Sequence, residues 1–314
     1  MIIKKNYITL TYKPIYKMKQ SNLPFKSINS HQTLNIWTWN INCLIGKTKL
    51  VTDLLLLHDI DILFLTETKI KENEPITHNH YTWVFNSNKT SNYHGVAFIY
   101  KSHLDVTVLN TILPHYNNIT DVTLSYNSDV INLYLPTIKH DIDKAHNKEG
   151  RIIVLKCNIN NKILVVVGTY VPNSGVNKKI PLKRLAYRTL VWDHDLYHYL
   201  NLLQIEYKYV IWLGDLNVVI KDNDTHNVKS NIAGTTIEER TNIKSFMVDW
   251  IDTWDVKNNI KNPALRTTWV DIRSPLRLDY VICSKSLKNN IITSIIDQSY
   301  TGSDHYPCGS RFNL

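Results

Sequence analysis

The stretch YKYVIWLGDLNVVI, residues 207–220, joins an apolar run to polar residues. Residues 209–213 are β-branched, aromatic or leucine, which predicts a buried strand. Asp215 and Asn217 follow two residues apart, so in an extended chain their side chains point to the same side. A glycine–aspartate pair is also typical of an ordinary turn. The stretch alone therefore predicts either a turn or a polar site at a strand end.

Four further segments share this arrangement of an apolar run with polar groups at or near one end. The segments are LNIWTWNIN, DILFLTET, RLDYVIC and TGSDHYP, which contribute Asn40, Asn42, Glu67, Asp279, Asp304 and His305. Turn chemistry explains one or two such cases more easily than all of them together. The pattern predicts that these strand ends converge on one polar site.

Carboxylate and amide oxygens are the ligands that Mg²⁺ and Mn²⁺ prefer, whereas zinc prefers nitrogen and sulfur. A cation held by Glu67 and Asp304 would polarise a phosphoryl oxygen. Asp215 would position or deprotonate a water molecule. An imidazole at His305, held in its charged form by the Asp279 carboxylate, would suit a phosphate in its transition state. The residues predict metal-dependent phosphoryl chemistry, in which Asn217 orients the nucleophile.

Composition limits the function classes. The chain has 314 residues, 43% of them hydrophobic, which is enough for a sizeable core. The net charge of +9 and a pI near 9.1 suit a polyanionic partner such as nucleic acid. The four cysteines have no paired spacing, which favours a reducing compartment over a disulfide framework or zinc ribbon. No apolar run is long enough to cross a bilayer, so we expect an intracellular protein in the nucleus or cytoplasm.

The chain is predicted to divide into a tail and one domain. Residues 1–33 contain several lysines and no acidic residue, and the first acidic side chain is Asp53. This composition predicts a basic, flexible N-terminal tail. Residues 34–314 contain no Pro/Gly-rich linker and no internal repeat, so they are predicted to form one catalytic domain.

Many short strands and a few helices are predicted after residue 34. The strand candidates are LNIWTWN, DILFLTE, YTWVFN, HGVAFIYK, DVINLYL, RIIVLKC, KILVVVGTY, KYVIWLGD, RLDYVIC and YPCGSRF. The helix candidates are KLVTDLLLLHD, PLKRLAYRTLVWDHDLYHYLNLL and TTIEERTNIKSFMVDW. In the last of these, Thr235 or Thr236 with Glu238 or Glu239 would cap the first turn. So many strands imply two sheets, and helices flanking a β-sandwich fit this order.

The ordered motifs resemble those of exonuclease III-like apurinic/apyrimidinic (AP) endonucleases, within the endonuclease/exonuclease/phosphatase superfamily. The motifs are WTWNIN, LTETK, HGVAFIYK, NKEGRIIV, GTYVPNSG, RLAYRTLVWD, GDLN, RLDYVICS and GSDHYP. One four-residue match would be weak, but the series follows the family's order over nearly the whole chain after residue 34.

The resemblance implies a fold, a cofactor and a substrate. The implied fold is α/β, a four-layered α/β sandwich of two packed mixed β-sheets flanked by helices, as in DNase I-like proteins. The implied activity is Mg²⁺-dependent hydrolysis of double-stranded DNA 5′ to abasic sites in base excision repair, with Mn²⁺ as a substitute. Processing of blocked 3′ ends by 3′-exonuclease or 3′-phosphodiesterase activity is also implied, and a monomer is expected.

The resemblance also carries roles onto individual positions. The catalytic candidates are Tyr170, Asp215, Asn217, Asp279 and His305. The metal-ligand candidates are Asn40, Glu67, Asp215, Asn217, Asp304 and His305. The substrate-binding candidates are Asn42, Arg151, Asn173, Lys178, Lys179, Arg184 and Trp269. Of these, Lys178, Lys179 and Arg184 lie in a loop that departs from the family's pattern by its greater length, and their positive charges suit backbone phosphates.

Three positions depart from the family's pattern. Cys43 stands where the family commonly has glycine, so we expect a close approach of the backbone at this position to be altered. Thr268 and Leu276 stand where aromatic residues wall the pocket for an abasic sugar in specialised members. We therefore expect cleavage at abasic sites with looser discrimination than in a strict specialist.

Other interpretations remain open. A retroelement-like or general endonuclease without abasic preference would use the same elements, as would a phosphatase of the superfamily, and a catalytically dead DNA-binding module is a third class. The chain stops soon after SDHYP with no polymerase appended, and it retains the acidic and amide groups, which favours a stand-alone repair enzyme.

The HDLYH sequence, residues 194–198, mimics a zinc-protease helix, but Asp195 replaces the glutamate and no third ligand is evident, so surface histidines are expected. Trp37 and Trp39 alternate within a strand and are expected in the core.

Overall fold

The computed structural model describes residues 33–71, 80–89, 91–116, 121–126, 129–134, 146, 148–175, 182–226, 232–270 and 274–314. The predicted basic tail lies outside the described residues except for Thr33. The substrate-binding candidates Lys178 and Lys179 also lie outside them.

The described residues form two six-stranded sheets and one hairpin. The strands are β1 Thr33–Asn40, β2 Ile62–Thr66, β3 Tyr81–Asn86, β4 Val96–Lys101, β5 Asp105–Asn110, β6 Asp121–Tyr126, β7 Asp129–Tyr134, β8 Ile152–Ile159, β9 Lys162–Tyr170, β10 Tyr209–Asp215, β11 Trp250–Asp252, β12 Asp279–Ser284, β13 Ile291–Ile296 and β14 Cys308–Asn313. The first sheet has the order β13–β14–β1–β2–β4–β3, the second has the order β11–β12–β10–β9–β8–β5, and β6 pairs with β7. The β1–β2 and β9–β10 pairs are parallel and their neighbours are antiparallel, so both sheets are mixed.

Helices cover the outer faces of the two sheets. They are α1 Thr48–Leu57, α2 Leu182–Ala186, a π-helical turn Tyr187–Trp192, α3 Asp193–Glu206, α4 Ile237–Phe246 and α5 Thr253–Lys257. Helix α4 begins with the predicted capping box, in which the Thr236 hydroxyl accepts a hydrogen bond from the Glu239 backbone N–H. This pair satisfies backbone donors that have no partner within the helix.

Three clusters of buried hydrophobic side chains fill the spaces between the layers. The cluster between the sheets joins side chains such as Ile36 and Phe64 of the first sheet to Val166 and Leu213 of the second. Helices α3 and α4 pack on the outer face of the second sheet, and α1 packs on the outer face of the first. A Cβ atom at Gly168 would lie 2.3 Å from the Phe64 ring, so glycine permits the close approach of the two sheets there. The predicted four-layered α/β sandwich is confirmed.

Alternation along β1 sends its side chains to different layers. Ile36 faces the second sheet, whereas Trp37 and Trp39 face α1 and are 1% and 0% exposed. The Trp39 indole N–H donates to the His305 carbonyl over 2.9 Å, which ties β1 to the segment before β14. The prediction that both tryptophans belong to the core is confirmed.

Four strands were absent from the sequence-based prediction, namely β5, β6, β11 and β13. Strands β5, β11 and β13 are edge strands, so one side of each lacks a neighbouring strand. Side chains such as Val108 in β5 and Ile295 in β13 are 39% and 43% exposed, which weakens the apolar pattern that marks a strand. The predicted helix over residues 235–250 also differs, because α4 ends at Phe246 and Trp250 begins β11.

The strand pairing brings the predicted polar positions to one edge. Asn40 pairs with Thr66 next to Glu67, and Asp215 pairs with both Tyr170 and Asp279. The four cysteines are free thiols. Within the described ranges, no helix has the length and apolar character of a membrane span.

Candidate active site

Asn40 connects the two sheets at the polar edge. Its side-chain N–H₂ donates to Glu67 Oε1 over 3.1 Å and to Asp215 Oδ2 over 3.0 Å. Its side-chain oxygen accepts from the Asn42 backbone N–H over 3.1 Å. Because Asn40 ends β1 and Asp215 ends β10, this one buried amide fixes carboxylates from both sheets relative to each other.

The Glu67 carboxylate is held by three donors. Besides Asn40, the Tyr170 hydroxyl donates to Oε1 over 2.8 Å and the Lys69 ammonium lies 2.8 Å from Oε2. Burial alone would raise the pKa of Glu67, but hydrogen bonds from Lys69, Asn40 and Tyr170 lower that pKa to about 2. The carboxylate is therefore anionic at any physiological pH and is available to a cation.

Tyr170 remains a hydrogen-bond donor. Burial, together with the nearby Glu67 and Asp215 carboxylates, raises the pKa of the Tyr170 phenol well above its usual range. A neutral phenol donates to an anion such as Glu67 or a phosphate oxygen but does not act as a base near neutral pH.

Asp215, the last residue of β10, is buried and lies on the side of Asn40 that faces the second sheet. Its Oδ1 accepts from the Asn217 backbone N–H over 2.9 Å, which closes the GDLN turn around the carboxylate. Burial raises the pKa of Asp215 to about 7, and the Asp279 carboxylate adds to the increase. A carboxylate with such a pKa can accept a proton from water near neutral pH.

His305 and Asp279 form a buried pair. His305 Nδ1 lies 2.7 Å from Asp279 Oδ2. Burial alone would lower the pKa of His305, but the Asp279 carboxylate raises it to about 9. The imidazole is therefore protonated at neutral pH, and its Nε2–H is left as a donor for a substrate anion.

Thr268 holds Asp279 in place and does not border a pocket. It is 0% exposed, and its hydroxyl oxygen accepts from the backbone N–H groups of Leu278 and Asp279 over 2.9 and 3.0 Å. Leu276 is also buried, at 1% exposure. The expectation that these two side chains replace aromatic pocket walls is therefore not met, because both lie inside the protein.

Trp269 supplies an apolar surface beside His305. Its backbone pairs with that of His305, and its half-buried ring packs on Val219, Leu276 and Leu278. Among the sequence-based candidates for substrate contact, Trp269 is the aromatic one, and its backbone is bridged to that of His305.

The rim of the site carries further polar groups. The exposed Asp304 carboxylate accepts from the Asn42 side chain over 2.9 Å, and Asn42 accepts in turn from Lys69 over 2.6 Å. Asn173 donates to the Asn217 side-chain oxygen over 3.0 Å. The structure thus connects the predicted metal candidates to the predicted phosphate contact through side-chain amides.

Arg151 is buried behind Tyr170. It is 3% exposed, with its Nε bonded to Glu149 over 2.6 Å and its guanidinium 4.8 Å from the centre of the Tyr170 ring. Its predicted contact with substrate stays a prediction, whereas its contact with Tyr170 is direct. Arg184 is exposed beside Gly175, and it belongs to the predicted phosphate-binding loop.

Lys69 is a site residue to which sequence reasoning assigned no role. It lies in the LTETK motif, two residues after Glu67. Residues two apart in an extended chain point to the same side, and this spacing could have indicated that Lys69 lies beside Glu67. Its ammonium joins Glu67 and Asn42, so it places a positive charge among the oxygens of the site. A phosphate oxygen entering this region would meet that charge.

Several non-glycine residues at the site have left-handed backbone conformations. Asn42, Glu67, Lys69 and Asn217 have φ between 45° and 53°. Cys43 has φ 82° and keeps the backbone that the family's glycine would adopt, with its N–H donating to the Glu67 carbonyl over 2.8 Å. Sparsely populated backbone of this kind persists where surrounding contacts impose it, and it concentrates at functional sites.

The donor set fits a divalent cation. Glu67, Asn40 and Asp304 offer oxygen ligands, and a second group, Asp215, Asp279 and His305, places ligand atoms within 4.8 Å of one another. Among the described residues, the buried Asp279 Oδ1 has no hydrogen-bond partner. Such an atom is costly unless a cation or solvent reaches it, and hard oxygens favour Mg²⁺-like ions.

Comparison with known proteins gives a family match over most of the chain. A model of the "Endonuclease/Exonuclease/phosphatase family" matches residues 37–305. This range begins at Trp37 and ends at His305, so it contains every predicted catalytic and metal-binding position. The match agrees with the ordered motifs from WTWNIN to GSDHYP.

Two curated relatives are nucleases by name. The chain is 38% identical over 179 residues to a "DNA-(apurinic or apyrimidinic site) endonuclease" of Dictyostelium discoideum, which covers 54% of this chain and 47% of that protein. It is 31% identical over 179 residues to an "Exodeoxyribonuclease" of Bacillus subtilis, covering 54% of this chain and 67% of that one. The match thus spans about half the length of the Dictyostelium relative.

A solved structure shares the fold. The AP endonuclease from Leishmania major superposes with a TM-score of 0.68 at 20% identity, covering 90% of this chain and 88% of that one. The predicted resemblance to exonuclease III-like AP endonucleases and the predicted sandwich are both confirmed.

Proposed function

Because the chain belongs to the endonuclease/exonuclease/phosphatase family, we propose that it is a divalent-metal-dependent DNA phosphodiester hydrolase. Specifically, we infer an AP endonuclease of base excision repair that cuts 5′ to abasic sites and also processes blocked 3′ ends. One observation carries the proposal: Asp215, with a pKa near 7, lies beside the Asp279–His305 pair, whose imidazole has a pKa near 9. The site thus combines a base and a fixed positive charge.

The proposed metal is Mg²⁺, with Mn²⁺ as a substitute. Glu67, Asn40 and Asp304 would hold it, and Asp215 and Asn217 are the further candidates near it. His305, also a ligand candidate from the sequence, would have to lose its imidazolium proton before it could bind a metal, so we assign it to the phosphate instead. When bound, a cation of this kind polarises a phosphoryl oxygen and stabilises the developing charge. The low pKa of Glu67, about 2, keeps the principal ligand anionic.

Asp215 is the proposed general base. Its Oδ1 is fixed by the Asn217 backbone and its Oδ2 by Asn40, so the carboxylate cannot rotate away from the site. A water molecule in contact with Asp215 would lose its proton to the carboxylate as it attacks phosphorus. The Asn217 side chain, held by Asn173 and the Val171 carbonyl, would help to orient that water.

His305, Tyr170 and Asn173 are proposed to bind the scissile phosphate. The His305 imidazolium offers Nε2–H to a phosphoryl oxygen, and the attraction grows as charge develops in the transition state. Tyr170, the last residue of β9, and Asn173, three residues after it, are neutral hydrogen-bond donors. Lys69 adds a second positive charge between Glu67 and Asn42.

The proposed substrate is double-stranded DNA. The net charge of +9 favours a polyanion, and Arg184 with Lys178 and Lys179 would contact backbone phosphates. Trp269 is the proposed apolar wall for an extruded abasic sugar, because its half-buried side chain belongs to a segment whose backbone pairs with that of His305. We place the enzyme in the nucleus or cytoplasm with its DNA, and we propose that it acts as a monomer.

Metal dependence is tested by chelation and by Glu67→Gln. We expect chelator to stop cleavage and Mg²⁺ or Mn²⁺ to restore it. The substituted glutamine would still accept from Tyr170 and Asn40 but would lack the negative charge, so the Mg²⁺ concentration for half-maximal activity should rise by about tenfold or more. Glu206→Gln, at the exposed end of α3, is the matched control and should behave like the wild type. Full activity in excess chelator would reject the metal assignment.

Substrate choice is tested with matched duplexes. Oligonucleotides of one sequence would carry an abasic site, a nick, a 3′-phosphate or no lesion, each with and without Mg²⁺. A missing base makes extrusion of the nucleotide easier, so we expect the abasic duplex to be cut about tenfold or more faster than the intact one. A ratio near unity would instead support a retroelement-like or general endonuclease, and no cleavage of any duplex would support a phosphatase or a binding module.

A further inference from the structure

A second cluster of metal-binding side chains lies outside the candidate active site. Asp195 Oδ2 is 2.6 Å from His115 Nδ1 and 3.1 Å from His146 Nε2. Asp195 and His146 are buried, with side chains 0% and 1% exposed, and the His115 side chain is 33% exposed. No proposed step of DNA cleavage uses these residues.

The cluster contains the aspartate of the HDLYH sequence but not its histidines. His194 and His198 are exposed on α3, as predicted, and their rings lie parallel with centres 6.5 Å apart. Asp195 on the same helix is buried, and its Oδ1 lies 3.8 Å from His194 Nδ1, whereas its Oδ2 contacts His115 and His146. Its imidazole partners come from other segments: His115 follows β5, and His146 precedes β8. This long-range arrangement explains why the sequence showed no third ligand.

We propose that His115, His146 and Asp195 form a second metal site, which takes a transition ion of the zinc class. Two imidazole nitrogens and one carboxylate oxygen are a ligand set that suits Zn²⁺ better than Mg²⁺. The three ligand atoms lie within 4.8 Å of one another. Zinc bonds of about 2.0–2.2 Å would require the His115–Asp195 contact to open by less than about 1 Å.

The surroundings of each ligand support this assignment. The second nitrogen of His146, Nδ1, lies 2.9 Å from the Tyr187 hydroxyl. With Nδ1–H donating to that oxygen, the Nε2 lone pair is directed to the ion, which is the usual second contact of a zinc-bound histidine. The Tyr116 backbone N–H donates to Asp195 Oδ1 over 3.0 Å and leaves Oδ2 for the ion.

Access also fits. The partly exposed His115 ring gives the ion a path from solvent and leaves a fourth position for water. Bound in this way, the ion would join α3 to the segments before β8 and after β5.

A hydrogen-bonded His–Asp–His group without metal is the alternative. In that case both imidazoles donate to Asp195, and Tyr187 donates to His146 Nδ1. The two cases differ in which atom of the Tyr187–His146 contact carries the proton, and in whether zinc is retained. Metal binding therefore separates them directly.

The test uses the full chain in excess Mg²⁺, which occupies the hard oxygen site. Zinc chloride is added, free metal is removed by desalting, and bound zinc is measured by atomic absorption. We expect stoichiometric zinc in the wild type and in His103→Gln, a control at an exposed histidine between β4 and β5. Asp195→Asn and His115→Gln should lose at least about a hundredfold in zinc affinity, and Tyr187→Phe about tenfold.

A second measurement guards against misfolding. His115 is partly exposed, so His115→Gln should keep the wild-type circular dichroism spectrum even if the buried Asp195→Asn does not. Co²⁺ in place of zinc should give the strong visible absorption of a four-coordinate site in the wild type and lose it in His115→Gln. Zinc retention that is equal in the wild type and His115→Gln, or absent from the wild type, would overturn the proposal. So would loss of zinc in His103→Gln.

Discussion

Asp215→Asn is expected to lower the turnover number for DNA cleavage by about 10²–10⁴-fold while leaving DNA affinity nearly unchanged. The asparagine has the same shape and can still accept the hydrogen bond from Asn40 or from the Asn217 backbone. It cannot take a proton from water. Single-turnover rates on an abasic duplex, with affinity measured separately, give the comparison.

The same substitution should stabilise the fold at alkaline pH. The folded-state pKa of Asp215, about 7, is above its ordinary value of 3.8. The folded protein therefore binds this proton more tightly than the unfolded chain does, and stability is lost as pH rises from about 4 to about 7. The substituted asparagine carries no charge, so the free energy of unfolding of the variant should exceed that of the wild type above pH 7 in chelator.

Activity and stability thus move in opposite directions, which a purely structural residue would not show. Asp222→Asn is the control, because Asp222 follows in the same segment but its side chain is 81% exposed. We expect that variant to keep wild-type turnover. Near-normal turnover of Asp215→Asn would return the GDLN sequence to the ordinary turn interpretation.

His305→Ala is expected to lower turnover by about 10²–10³-fold. The substitution removes the imidazolium that is proposed to bind the phosphate and leaves the Asp279 carboxylate buried without its partner. His305→Gln would keep a neutral donor and should retain more activity than the alanine variant. His58→Ala is the matched control, because His58 also pairs with a carboxylate, Asp297 at 2.8 Å, outside the site. Equal losses in the His58 and His305 variants would contradict a catalytic role.

The pH profile separates the charge of His305 from its shape. With its pKa raised to about 9, His305 stays charged up to that pH, so wild-type activity should fall as pH rises through about 9. Asp279→Asn removes the anion that raises this pKa, and the alkaline limb should move toward the ordinary histidine value. The His305–Asp279 pair should likewise make its full contribution to the free energy of unfolding below about pH 6.5. That contribution should be lost as pH rises through about 9.

The convergence of the candidate site residues could be predicted from sequence because these residues follow a simple local rule. Glu67, Asp215 and Asn40 each end or follow an apolar strand, and parallel neighbours place such ends at one edge. That rule needs no knowledge of distant contacts. It explains how the opening stretch, read together with the four segments that share its pattern, predicted the position of the proposed base.

Other features depend on contacts that the local pattern does not contain. Thr268 belongs to the core because its hydroxyl binds the backbone of residues 278 and 279, far along the chain. The π-helical turn Tyr187–Trp192 interrupts what reads as one continuous helix, since its side chains still follow an apolar periodicity. His115 and His146 join Asp195 across sequence separations of 80 and 49 residues.

The Asn40 amide that joins Glu67 to Asp215 has a consequence for the order of folding. Its two partners are 27 and 175 residues away, and the Trp39 contact with His305 spans 266 residues. Closing loops of this size costs chain entropy, and contacts so distant form slowly. Strands close in sequence, such as β8 and β9, can pair early, but β1 also pairs with β14 at the far end of the domain. The proposed site therefore exists only after β14 has joined β1 and the two sheets have docked. A partly folded chain would therefore be harmless to DNA, and nuclease activity would be among the last native properties to appear.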